Sequence, residues 1–159
     1  MAPKERAQSK EVSPVSIFPT KILVATDGSR EAQLAATTAA ELANSTGSEL
    51  HVVHVGELPF VYHPERHAYR AVYEEHEKES QQLLEKQVER IKGSGATVAQ
   101  AHLRMGRADE EIVELAQSMG AGMIVMGSRG QGRIRRALMG SVSESVVRHA
   151  HCPTTIVRE

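Results

Sequence analysis

Short runs of apolar β-formers recur along this chain, all but the last cut off by glycine or Asp-Gly and each separated from the next by helix-like sequence. The first run, Ile22-Leu23-Val24-Ala25-Thr26, ends at Asp27-Gly28 and shows no alternation, as expected of a strand buried on both faces. Leu50–Val55, closed by Gly56, predicts a second strand, and Thr97–Arg104, closed by Gly106, a third. Met123–Met126, stopped by Gly127, predicts a fourth, and Pro153–Val157 a last one. Between them the spacing predicts helices from a Ser29 cap to about Ala43 (with Gly47 as the stop), over Ala68–Lys92 before Gly93-Ser94-Gly95, over Asp109–Met119 before Gly120, and over Val142–His149. Residues 57–67, with two prolines, read as a loop. Strictly alternating strands and helices imply the α/β class: a parallel sheet with right-handed crossovers and helices on both faces. Ligands of such sheets sit beyond the carboxyl ends of the strands, where strand order reverses. Those ends here are Asp27-Gly28, Val55-Gly56, Gly106 and Gly127.

Composition narrows the function classes. With 159 residues, 40% hydrophobic and 25% charged, the chain is long enough for one ordinary core, and with 3% aromatics and no Trp that core must be aliphatic. A net charge of −1 makes the whole molecule a poor electrostatic partner for nucleic acid or anionic lipid, so any anion site must be local. The single cysteine, Cys152, excludes an internal disulfide framework and any Cys-x-x-Cys motif. No apolar run approaches membrane-spanning length, residues 1–19 read as a polar leader before a domain over 20–159, and cytoplasm is the expected location.

One segment carries chemistry. Gly127-Ser128-Arg129-Gly130-Gln131-Gly132-Arg133 and Gly140-Ser141-Val142-Ser143 frame an arginine-rich loop between the fourth strand and the last helix, with Arg135 and Arg136 inside it. At Gly127 a Cβ would obstruct a ligand approaching the backbone, and Gly140-Ser141 opens a helix whose free N–H groups and dipole suit phosphate. Arginine adds a planar fork able to bond two phosphate oxygens. Taken singly, each glycine is an ordinary turn residue; two clusters around a cationic loop point to an anion site. A P-loop is excluded, as is a Gly-x-Gly-x-x-Gly fingerprint after the first strand.

Gly127, two residues, Gly130, nine residues and Gly140-Ser141 is similar to the nucleotide motif of the universal stress protein family. The resemblance extends over nearly all of residues 21–157, through ILVATDGS, HVVHV, a Met-Gly turn, MIVMGSRG and CPTTIV. It implies a single open five-stranded parallel sheet of order 3-2-1-4-5, of the adenine-nucleotide α-hydrolase-like type, and a homodimer paired through the C-terminal strand, 153–158. It also implies an ATP site, with Mg²⁺ accompanying the phosphates. Carried over by position, Ala25 and Asp27 line the adenosine pocket, Asp27 lies near the ribose or the metal, and Val55 meets adenine through its backbone. Gly106 closes the pocket, Gly127 and Gly130 approach the ribose and α-phosphate, and Gly140, Ser141 and Val142 hold the distal phosphates, with Ser143 adding a hydroxyl. Thr26, Met126, Ser128, Arg129, Gly132 and Arg133 complete the candidate nucleotide-binding set. Arg107-Ala108 stands where the family often has a small or apolar residue and then Pro, which alters the rim or brings another cation to the phosphates.

The reading that follows is an ATP-binding, nucleotide-dependent regulator in stress response, with no catalytic residue assigned. Its rivals are a weak ATPase or phosphotransferase, and a dimeric interaction protein that works without nucleotide and binds an unknown protein partner. His51 and His54 cannot share a strand face, so they read as packing or surface residues rather than a metal pair. His63, His67 and His76 lack ligand spacing. Cys152 and the methionines read as packing residues.

Overall fold

The structure is a computed structural model, and it describes residues 20–57, 66–131 and 139–159. Among these lie strands β1 (Lys21–Ala25), β2 (Glu49–Gly56), β3 (Gln100–Met105), β4 (Met123–Gly127) and β5 (Thr154–Val157), and helices α1 (Arg30–Thr46), α2 (Arg66–Gly93), α3 (Ala108–Met119) and α4 (Ser141–His149). The sheet is parallel throughout, in the order β3-β2-β1-β4-β5. β1 is central, and the chain steps from it first to one side and later to the other. The switch point therefore falls between β1 and β4, at their carboxyl ends.

Alternation along β1 divides the core into two layers. Ile22 and Val24 pack with α1 and α2, together with Leu50, Val52, Leu84 and Ile91. Leu23 and Ala25 face the other way, onto Ile112, Leu115, Ala116 and Val146 of α3 and α4. Leu23, Val24, Val52 and Val53 are fully buried, and each such side chain contributes roughly 1.5–3 kcal/mol of hydrophobic stabilisation. The buried stripe of α1 is all alanine apart from its first turn: Ala32, Ala35, Ala36, Ala39, Ala40 and Ala43. Side chains this small bring the helix close to the sheet.

The third strand starts later than its composition predicts. Pairing with β2 begins at His51 opposite Gln100. Thr97 and Val98 precede the ladder, and Val98 packs against the core instead. At the last strand, Pro153 has no N–H to give, and its carbonyl accepts from Ile124 N–H at 3.0 Å just before β5 begins. α2 begins at Arg66, inside the stretch expected to be loop, and residues 58–65 of that stretch lie outside the described residues. No helix among the described residues is long and apolar enough to cross a membrane.

Candidate functional site

At the carboxyl ends of β1, β2 and β4 lies a cavity of about 390 Å³, within the range of small-molecule sites. Of the candidate residues, Ala25, Thr26, Asp27, Val55, Met126, Gly127, Arg129, Gly130 and Val142 line it. Gly106, Ser128, Gly140, Ser141 and Ser143 do not line it. Gly132, Arg133, Arg135 and Arg136 lie outside the described residues.

Strand geometry aims one backbone edge into this space. Thr26 N–H donates to the Val53 carbonyl at 2.9 Å, and Gly106 N–H to the Gly56 carbonyl at 3.0 Å. Val53 thus presents its peptide groups to β1 and Gly56 to β3. Peptide groups change edge at each residue of a strand, so the N–H and C=O of Val55 also face the β1 side. At that height β1 has ended at Ala25 and the chain has turned away through Asp27-Gly28. The Thr26 carbonyl accepts from His54 Nδ1–H at 2.8 Å.

Asp27 ties the two sides of the switch point together. Its Oδ1 accepts from Ser29 N–H and its Oδ2 from Gln131 N–H, both at 2.9 Å, while Gln131 Nε2 donates to the Asp27 carbonyl at 2.7 Å. A Cβ on Gly130 would lie 2.5 Å from Asp27 Oδ2, so only glycine lets this stretch settle onto the carboxylate.

Glu31, in the first turn of α1, performs a second tie that the sequence did not announce. Its carboxylate is buried, and accepts from Ser128 Oγ–H at 2.6 Å, Arg129 N–H at 2.7 Å, and the Arg129 guanidinium at 2.7 and 3.0 Å. Burial acts to raise its pKa, but the Ser128 and Arg129 hydrogen bonds and the guanidinium charge outweigh burial and hold it below the usual glutamate value. Gly127 takes its meaning from the same contact. A Cβ there would come 2.9 Å from the backbone carbon and Cβ of Glu31. This glycine therefore makes room for α1 as well as lining the cavity. Ser128 and Arg129 are correspondingly committed to Glu31.

Ser143 also differs from expectation. It is 2% exposed, and its hydroxyl is turned inward onto the carbonyls of Ser128 at 2.7 Å and Gly140 at 2.9 Å. It braces the loop rather than offering a hydroxyl to a ligand. α4 itself opens at Gly140 without a side-chain cap, which leaves its first-turn N–H groups for another acceptor. Arg107 does not reach toward this helix end: it is largely exposed and pairs with Asp109 at 3.1 Å and Glu110 at 2.9 Å. Ala108 lines the cavity in its place.

The model of the universal stress protein family matches residues 19–158. The chain belongs to this family. A universal stress protein of Methanocaldococcus jannaschii is 33% identical over 140 residues, covering 87% of this chain and 82% of that protein. Among solved structures, the universal stress protein UspA of Lactobacillus plantarum superposes with a TM-score of 0.78 at 25% identity, covering 89% of this chain and 99% of that one. The universal stress protein of Archaeoglobus fulgidus in complex with dAMP gives a TM-score of 0.60 at 28% identity, covering 87% and 97%.

Within this universal stress protein the sequence reading missed Glu31, His54 and Gln131. Glu31 looked like an ordinary acid at a helix N-terminus, and its partners are 97 and 98 residues away. His54 passed as a packing or surface residue, although its position beside Val55, near the carboxyl end of β2, was a usable signal. His51 does not pair with His54. It stacks on His102 of β3 with ring centroids 5.5 Å apart and pairs with Glu49 at 3.1 Å. Burial, then the neighbouring His51 and Arg104, push the His102 pKa down.

Proposed function

We propose that this universal stress protein binds ATP at the switch-point cavity and acts as a nucleotide-dependent regulator, as a cytoplasmic homodimer joined through residues 153–158. The observation that carries the reading is the Val55 edge, a donor and an acceptor side by side, facing a cavity at the end of β1. Adenine offers the complementary pair, a ring nitrogen that accepts and an amino group that donates. The α3 side supplies Ala108 and Ile112 as an apolar wall for the base. On this reading Asp27 meets the ribose or the metal, Gly127 and Gly130 the ribose and first phosphate, and the uncapped start of α4 at Gly140–Val142 the distal phosphates. The A. fulgidus relative's complex with dAMP supports an adenine nucleotide as the ligand class.

Magnesium fits this arrangement as a companion of the phosphates. No group of three or more His, Cys, Asp or Glu able to hold a metal exists among the described residues. An ion which keeps its waters needs only one protein carboxylate plus phosphate oxygens. Asp27 would be that carboxylate, each oxygen retaining a lone pair beyond its backbone bond, and the bound ion would neutralise polyphosphate charge.

Calorimetric titration with ATP, with and without Mg²⁺, tests the proposal. Saturable binding and a rise in melting temperature with ATP concentration are expected. No heat at millimolar ATP would overturn it.

A further inference from the structure

The cavity has a wall that none of the roles above uses. On the side of α2 it is lined by His54, Ser80 and Leu83, beside Gly56 and Glu57. His54 is 7% exposed and Ser80 9%, yet each keeps part of its hydrogen-bonding capacity unspent inside the protein. The Nδ1–H of His54 is committed to the Thr26 carbonyl. That carbonyl can only accept, so Nδ1 carries a proton, and in the corresponding neutral tautomer Nε2 carries the lone pair. No partner for Nε2 occurs among the described residues, and none for Ser80 Oγ. Neither atom is among the fully enclosed polar atoms without a partner, a class in which Thr154 Oγ1 alone appears among the described residues. Neither atom is sealed from solvent, and both residues line the cavity.

We propose that His54 Nε2 is a specificity-determining contact that accepts a hydrogen bond from a donor group of the bound nucleoside, with Ser80 Oγ beside it as a secondary contact. This rests on the nucleotide reading above and assigns a second recognition wall to the same site. The shared ligand chemistry is an uncharged N–H or O–H donor. An adenine nucleotide offers two sources, the 6-amino group and the ribose hydroxyls. A buried acceptor left unpaired is costly, so this wall discriminates against nucleotides that lack the donor.

The test compares dissociation constants of the wild type and His54→Asn for ATP, ITP, 2′-deoxy-ATP and 3′-deoxy-ATP by calorimetry. Asparagine places an amide N–H near the Nδ1 position and keeps the bond to Thr26 while deleting the Nε2 lone pair. H54N is expected to bind ATP about 10-fold more weakly. One analogue is expected to bind the wild type about 10-fold more weakly and to lose nothing further in H54N. ITP in that role identifies the amino group, a deoxynucleotide the corresponding hydroxyl. Equal ATP affinity of H54N and wild type overturns the contact alone, as does one common loss factor across ATP and every analogue. Failure of the wild type to bind ATP overturns the nucleotide reading and this contact with it. Far-UV circular dichroism verifies that H54N folds. If it does not, Ser80→Ala carries the same series, with about a 3-fold loss expected for ATP and none for the decisive analogue; an unchanged ATP affinity in S80A then overturns the proposal.

Discussion

Two walls of one cavity differ in how their polar groups are used. On the wall built by β1, β4 and the first turn of α1, Asp27 holds Ser29 and Gln131, and Glu31 holds Ser128 and Arg129. On the wall built by β2 and α2, His54 and Ser80 keep capacity in reserve, and the Val55 edge faces open space. The first wall is shaped by the protein's own contacts, so its geometry exists before any ligand arrives. Pre-organisation of this kind lowers the ordering cost of binding. The second wall has selectivity to contribute, because its groups gain partners only when something suitable enters.

Substitutions sharpen the contrast. Glu31→Ala is expected to cost the most, about 3 kcal/mol in denaturant unfolding, since it strands the Ser128 hydroxyl and the Arg129 cation together. A loss below about 1 kcal/mol would mean that the tie is decorative. Gly127→Ala follows at about 2 kcal/mol, because the added methyl meets α1 backbone, which cannot rotate aside. Its test is the shift of the urea midpoint at constant slope.

Acid should erode the same wall. The Glu31 pKa lies below its ordinary value in the folded chain, so its contribution is complete above the unfolded glutamate pKa of about 4.3 and disappears as pH falls through the folded value. The stability gap between wild type and Glu31→Gln is therefore expected to narrow as pH drops from 6 toward 3 (about one unit beyond that pKa). A gap that widened would reverse the sign and sink the assignment. The smallest effect belongs to the other wall: Ser80→Ala should change the stability of the ligand-free protein by about 0.5 kcal/mol or less, since no hydrogen bond is lost. A larger loss would show that the reserve is already spent.

The sequence disclosed most of what local composition controls. Apolar runs ending in glycine located β1, β2 and β4, and glycine placement marked the end of α1 and α3. Thr97 and Val98 misled because their side chains serve packing while the ladder waits for Gln100. Strand order came from the resemblance and not from periodicity. In the site, the glycines could be found but the reason for Gly127 could not, because it depends on how closely an alanine-faced helix approaches. Glu31 was illegible for the same cause. An acid in a helix's first turn has a sufficient local explanation in the dipole, and nothing nearby in the chain reveals a partner in another element.

The tie between Glu31 and Ser128-Arg129 also has a temporal consequence. It joins segments 97 and 98 residues apart, and contacts that enclose so much chain form slowly, after local helices and neighbouring strand pairs. β1 and β2 can meet early, whereas the cavity acquires its second side only when β4 docks. The cavity thus takes shape only once β4 has docked, so that, on the nucleotide reading proposed above, ligand occupancy reports on the completed molecule.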